Sequence, residues 1–234
     1  MTTPTAVVFD LDGTLCRSQQ AEGPLYRAAF ESIDVAPFGS AGELWAALDG
    51  PPDPDDEQSY LATGFRRLGA QYGHRRIPAD ELAAGLLAAV DRRAVSLLPG
   101  AMSALDSARA RGPVAIMTNG PRRRQAPKVD SLGLDDRVDA VVYAGDLPRR
   151  KPHPEPFEVV CDALEVPAAS TLYVGDSLAY DVAGAHGAGL LAAWYAGGDA
   201  PDDDPGDDDL DSNDPGDYRP EFVLGSLDEL GDVL

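Results

Sequence analysis

The motif Asp10-Leu11-Asp12-Gly13-Thr14 directly follows the apolar run Ala6-Val7-Val8-Phe9, and three further short signals come after it in order. Thr118-Asn119-Gly120 follows Val114-Ala115-Ile116-Met117. Lys151-Pro152 comes next, and Gly175-Asp176-Ser177, with Asp181, follows Thr171-Leu172-Tyr173-Val174. Two unit charges ~4 Å apart repel by ~4 kcal/mol at an effective dielectric of about 20. Asp10, Asp12, Asp176 and Asp181 can therefore converge only with a cation among them or with some of them protonated. Hard oxygen ligands with room for water and a phosphate describe Mg²⁺. A carboxylate is also a competent nucleophile toward phosphorus, giving an aspartyl-phosphate that water then hydrolyses. A second carboxylate two residues along, as Asp12 is to Asp10, can protonate the leaving oxygen and later deprotonate the attacking water. Thr118, Asn119 and Lys151 are the donor types that a transferring phosphoryl group needs around its equatorial oxygens. Lys151 carries extra weight because the chain has only two lysines, the other being Lys128.

The elements that must position these groups follow from the apolar pattern. Three of the four signals sit where a strand-like apolar run gives way to polar residues, and in an open parallel α/β sheet ligands bind at those carboxyl ends. Residues 6–10 form a short buried strand by composition. Beyond it, apolar residues recur at helical spacing in Leu25-Ala28-Ala29, Leu44-Ala47-Leu48, Tyr60-Leu61-Phe65-Leu68 and Leu82-Leu86-Leu87-Val90, with the loop Pro51–Asp56 between the second and third. From Leu98-Pro99-Gly100 onward strands and helices alternate. The pattern gives helices over 101–111, from 122 to Gly133, over 155–165 and over 178–188. Strands fall at Val114–Met117, Val138–Tyr143, Thr171–Val174 and Leu190–Tyr195. Phe222-Val223-Leu224 and a helix from Ser226 close the chain. The expected fold is α/β, a Rossmann-like parallel-sheet core from 1–16 and 97–234 with an inserted α-helical domain over 17–96. The aspartate-rich stretch 199–217 fits no EF-hand spacing and is expected to be a solvated loop.

Composition narrows the classes further. The formal net charge is −21, from 40 acidic against 19 basic residues. So acidic a chain repels phosphate backbones and anionic lipid, which argues against nucleic-acid and membrane roles. Acid-rich, lysine-poor composition resembles soluble proteins of salt-accumulating, halophilic organisms, in which salt screens the self-repulsion. Two cysteines, Cys16 and Cys161, make no disulfide framework, and the residues after Met1 lack the regions of a signal peptide. A cytoplasmic protein, monomer or homodimer, is the expectation.

The four motifs in this order resemble those of the haloacid dehalogenase superfamily, in its branch with a helical cap inserted after the first motif. The resemblance covers the chain apart from the aspartate-rich stretch. It implies that Asp10 is the nucleophile and Asp12 the general acid/base. It implies Mg²⁺ held by the Asp10 carboxylate, the Asp12 main-chain carbonyl and Asp176, with Asp181 either supporting that shell or orienting Lys151. Thr118 and Lys151 would hold the phosphate, Asn119 and Gly120 contributing less. Gly13 would allow a sharp turn that Thr14 braces through its hydroxyl. The implied activity is Mg²⁺-dependent hydrolysis of a small phosphorylated metabolite. The same motifs permit a phosphomutase, and the scaffold also serves 2-haloacid dehalogenases and non-catalytic binding proteins. Dehalogenases lack an acid at the position of Asp12, because halide departs without a proton, so Asp12 favours phosphate esters.

Other residues receive plainer expectations. Gln125 and Lys128, which with Thr118-Asn119-Gly120 resemble the small-metabolite phosphatases of that branch, are expected on a helix surface, with contact to substrate the alternative. His153 is expected in a turn, and His74 with Arg75-Arg76 at the end of an insert helix. Cys16, just past the first motif, is expected to be a small residue facing the crevice, without a base to activate it.

Overall fold

The computed structural model describes residues 3–48, 56–74, 76–197 and 219–234. The aspartate-rich stretch 199–217 lies outside the described residues. The chain divides into two compact units. Among the described residues, one takes in 3–17, 95–197 and 219–234, and the other 18–48, 56–74 and 76–94.

The larger unit is built on six parallel strands: β1 (Ala6–Phe9), β4 (Val114–Thr118), β5 (Ala140–Tyr143), β6 (Thr171–Gly175), β7 (Leu191–Tyr195) and β8 (Phe222–Leu224). Their order is β5-β4-β1-β6-β7-β8. Side chains alternate between the two faces of a strand, and both faces are apolar here. Val7, Phe9, Val114, Ile116, Leu172 and Val174 enter one core cluster. Ala6, Val8, Ala115, Met117 and Tyr173 enter the other. That two-sided burial explains why the strands appear in the sequence as unbroken apolar runs rather than alternating ones. Helix α5 (Ala101–Arg111) packs on the first face, with Ala101, Ala104, Leu105 and Ala108 turned inward. Helix α7 (Pro154–Leu164) packs on the second through Phe157, Val160, Cys161 and Leu164.

Strand β1 lies between β4 and β6, with Phe9 opposite Ile116 on one side and Val174 on the other. From β1 the chain builds outward to β4 and β5 on one side, then returns to build β6, β7 and β8 on the other. This reversal of strand order leaves a crevice at the carboxyl ends of β1, β4 and β6. The first, second and fourth motifs sit on those three ends.

Several expected elements take a different form. A short pair, β2 (Cys16–Ser18) with β3 (Val95–Leu97), forms a second sheet. Three-residue strands carrying Arg17 and Ser18 outward leave no periodic signal. Strand β5 begins at Ala140, because Asp135–Arg137 forms a 3₁₀ turn before it. The expected helix over 178–188 opens as a π turn over Leu178–Val182 and continues as α8 (Ala183–Gly187). The C-terminal helix is shorter than expected, a 3₁₀ turn over Leu227–Glu229 followed by α9 (Leu230–Val233). Helix α6 (Arg122–Ser131) follows the second motif.

The smaller unit is helical: α1 (Glu22–Glu31), α2 (Ala41–Ala46), α3 (Glu57–Gln71) and α4 (Ala79–Ala89). Its core gathers Tyr26, Phe30, Leu44, Leu61, Phe65, Leu68, Leu82 and Leu86. Tyr26 and Phe65 stack at 6.0 Å while Phe30 meets Phe65 edge-on at 5.9 Å. Ser40 and Asp56 cap α2 and α3 by accepting from the Glu43 and Ser59 amides, contacts worth about 1 kcal/mol each.

Candidate active site

Asp10 is the first residue past β1, held in line with the sheet by its amide donating to the Val174 carbonyl at 2.9 Å. Burial pushes its carboxyl well above the usual carboxylate range. Lys151 opposes that rise, while Asp181 and Asp176 add to it. The Lys151 ammonium donates to Asp10 Oδ1 at 2.6 Å, to Asp181 Oδ1 at 2.7 Å and to the Tyr173 hydroxyl at 2.9 Å. All three of its protons are thereby directed. Burial alone pulls a lysine down, but the Asp10 and Asp181 carboxylates outweigh it and hold Lys151 well above its ordinary value. It stays a cation. Tyr173 in turn donates to the Met117 carbonyl at 3.0 Å, tying the lysine to the end of β4.

Asn119 was expected beside the phosphate, yet its side chain is engaged with the Lys151 main chain. Its Oδ1 accepts from the Lys151 amide at 2.8 Å and its Nδ2 donates to the Lys151 carbonyl at 3.2 Å. Asn119 thus fixes the segment that delivers the lysine.

Asp10, Asp176 and Asp181 each offer one oxygen, and these oxygens lie within 4.8 Å of one another. Asp176 Oδ1 accepts the Thr14 hydroxyl at 3.0 Å. The expected bracing of the Gly13 turn by that hydroxyl is not seen. Backbone bonds brace the turn instead, Gly13 amide to Cys16 carbonyl and Leu15 amide to Leu11 carbonyl, each at 2.9 Å. Asp176 Oδ2 is buried and has no donor among the described residues. Burial, with Asp181 nearby, pushes the Asp176 carboxyl up to about 7. An orphaned carboxylate oxygen beside two further carboxylates is a donor set that a hard divalent cation completes. Gly13 makes the approach possible. Its φ is +79°, and a Cβ there would stand 2.2 Å from Asp176 Oδ2.

Asp12 belongs to a second network. Lys128 Nζ reaches both its oxygens, at 2.7 and 2.8 Å, and Gln125 Nε2 donates to Oδ2 at 2.7 Å. Burial pushes the Asp12 carboxyl up, but the Lys128 charge and these hydrogen bonds prevail and hold it below its ordinary value. Gln125 Nε2 also donates to the Thr118 hydroxyl oxygen at 3.0 Å, leaving the hydroxyl proton for another acceptor. Gly120 gives the amide its seat, since a Cβ there would lie 2.5 Å from Gln125 Nε2.

Gln125 and Lys128 are therefore not the helix surface that the sequence suggested; both point from α6 onto Asp12. The scarcity of lysine was the available signal, because both lysines of the chain bind the paired carboxylates of the first motif. Tyr173 was also missed, and nothing in an apolar strand distinguished its polar tip. His153 is a turn residue as expected, its Nδ1 accepting from the Glu155 amide at the start of α7. His74 lies past the end of α3, its ring 4.6 Å from that of Phe38. Cys16 is fully buried, with Sγ 3.8 Å from Asp12 Oδ1, and burial together with Asp12 drives its thiol far up. An unreactive thiol is the consequence.

Known proteins are similar to this chain. The haloacid dehalogenase-like hydrolase family matches residues 4–189. A plasmid-encoded phosphoglycolate phosphatase of Cupriavidus necator is 33% identical over 205 residues, covering 84% of each chain. A ribulose-1,5-bisphosphate 5-phosphatase of Halopiger xanaduensis is 30% identical over 203 residues, covering 82% of this chain and 84% of the other. Among solved structures, the HAD hydrolase YfnB of Bacillus subtilis, bound to magnesium, superposes with a TM-score of 0.72 at 23% identity over 99% of both chains.

Proposed function

The chain belongs to the haloacid dehalogenase-like hydrolases, and from that premise we propose that it is a Mg²⁺-dependent phosphatase of a small phosphorylated metabolite. The observation that carries this reading is the separate pairing of the two carboxylates of the first motif, Asp10 with Lys151 and Asp12 with Lys128. Two carboxylates two residues apart are thus held in different charge environments, as two different chemical roles require.

In the first step an Asp10 oxygen attacks phosphorus and the bond to the ester oxygen breaks, leaving an aspartyl-phosphate. Asp12, protonated before the ester bond breaks although Lys128 favours its charged form, gives the departing oxygen its proton. In the second step Asp12 takes a proton from water, the water oxygen bonds to phosphorus, and the acyl-phosphate bond breaks to restore Asp10 and release inorganic phosphate. Lys151 keeps one Asp10 oxygen fixed and supplies positive charge where phosphoryl oxygens gather. The Thr118 hydroxyl proton is directed to the same oxygens. Mg²⁺ would be held by the Asp10 and Asp176 carboxylates and the Asp12 main-chain carbonyl, with Asp181 supporting both that set and Lys151. When bound, the cation offsets the crowded negative charge and polarises a phosphoryl oxygen.

The helical unit we take to be the cap that selects the ester. The similar proteins named for phosphoglycolate and ribulose-1,5-bisphosphate support a small anionic metabolite as the substrate class. Cys16 and Cys161, both buried and free, fit a reducing cytoplasm. No helix among the described residues is long and apolar enough to cross a membrane.

The test is phosphate release from a panel of phosphoglycolate, sugar phosphates and nucleotides, with and without Mg²⁺. Metal-dependent release from at least one ester is the expected result. Release from none, with inorganic halide formed from a 2-haloacid or an isomer formed from a sugar phosphate, contradicts the reading.

A further inference from the structure

Gln125 is buried at 5% exposure and makes two hydrogen bonds through one nitrogen, to Asp12 and to Thr118. Its other amide atom, Oε1, is buried with no partner among the described residues. Turning the amide over would set an oxygen against the Asp12 carboxylate, so this orientation is the one that chemistry allows. A buried acceptor left unsatisfied weakens a fold. A side chain kept in spite of it is retained for what its donors do.

We propose that Gln125 is a positioning residue for the acid/base: its amide fixes the Asp12 carboxylate relative to the Thr118 hydroxyl. The inference rests on the phosphatase reading and deepens it. Asp12 follows β1 and Thr118 ends β4, so one amide ties the group serving the leaving oxygen to a group that holds the phosphoryl. Lys128, one turn further along α6, bonds the same carboxylate but does not reach Thr118 among the described contacts. Among the described hydrogen bonds, only Gln125 joins the two. The glycine after Asn119 completes the device, because any side chain at Gly120 would displace the amide.

The consequence depends on the leaving group. An alkyl alkoxide cannot depart without a proton, whereas p-nitrophenolate can. Misplacing Asp12 therefore slows hydrolysis of an alkyl ester more than that of p-nitrophenyl phosphate. Any disturbance of Thr118 affects both esters alike and cancels in their ratio.

The experiment compares kcat/KM for 2-phosphoglycolate and for p-nitrophenyl phosphate, with Mg²⁺, in the wild type, Gln125→Met and Gly120→Ala. That constant covers the step that expels the leaving group and not the later hydrolysis common to both esters. A misplaced catalytic group costs up to ~100-fold. The expected result is a fall of ~10–100-fold in the ratio of the two kcat/KM values in both variants. The melting temperature of Gln125→Met should be unchanged or raised, since it fills the same space without the orphaned oxygen. In an Asp12→Asn background the substitution should lower the ratio no further. An unchanged ratio in Gly120→Ala and in folded Gln125→Met overturns the inference while leaving the phosphatase reading intact. A wild type that releases phosphate from no ester of the wider panel contradicts that reading, and the inference with it.

Discussion

Lys151 joins Asp10, Asp181 and Tyr173 through one buried ammonium. Its side chain is only 3% exposed, and those of Asp10 and Asp181 are 9% and 2% exposed. Removing one partner from a buried ion pair leaves an uncompensated charge, at a cost of about 3–5 kcal/mol. Lys151→Met should therefore lose stability of that order in urea unfolding as well as activity; wild-type stability would show that the pair is not the structural unit described here. Asp176 carries a second consequence. Its carboxyl stands at about 7 in the fold, above its ordinary value of 3.8, because burial and Asp181 disfavour its charge. The stability it contributes is present in full below the unfolded value and is lost as pH rises through about 7. The protein in EDTA should melt higher at pH 6 than at pH 8, and added Mg²⁺ should raise the melting temperature most at the higher pH. A Mg²⁺ effect equal at both values would separate the cation from Asp176.

At the scale of the elements, the site depends on loops that each leave a strand end and return to touch a neighbour. The turn after β1 works only with Gly13 in a left-handed conformation at φ +79°, within 2.2 Å of Asp176 Oδ2 for any added Cβ. Gly13→Ala should push Asp176 aside and weaken Mg²⁺ activation by ~10–100-fold, the range for disturbing a metal site's supporting contacts. An unchanged Mg²⁺ dependence would place the cation elsewhere. The strands were legible because their runs are apolar on both faces and stop abruptly at Asp10, Thr118 and Gly175. The π turn over Leu178–Val182 was not. It depends on Ser177 capping it and on the Ser177 amide donating to Asp181 Oδ2 at 3.0 Å, a tertiary arrangement that periodicity does not carry. Gln125 and Lys128 were misjudged for the same reason. On α6 they have the polar, flexible character of a solvated face, and only the folding of β1 beside β4 brings Asp12 within their reach. Asn119 and Thr14 stand where the motifs put them but bond to Lys151 and Asp176, since a hydrogen-bonding side chain does not declare its partner.

Across the whole molecule, a chain with a formal charge of −21 places its only two lysines on the two carboxylates of its first motif. The excess of aspartate and glutamate opposes compaction through self-repulsion, which salt screens over ~10 Å at 0.1 M and ~3 Å at 1 M. The melting temperature should rise with KCl into the molar range; a fall would mean that the acidic excess is not what limits stability. The buried pairs at Asp10 and Asp181 are far less accessible to screening, so turnover should persist in the same salt. The account stands or falls on Asp10, and the most direct measurement is acid quench of the protein during turnover of a phosphate ester radiolabelled in the phosphoryl group. Label retained on wild-type protein, released by hydroxylamine and absent from a folded Asp10→Asn variant that no longer liberates phosphate, is the predicted result. Turnover by Asp10→Asn at a rate near wild type, or label carried on another residue, would contradict the assignment of the nucleophile.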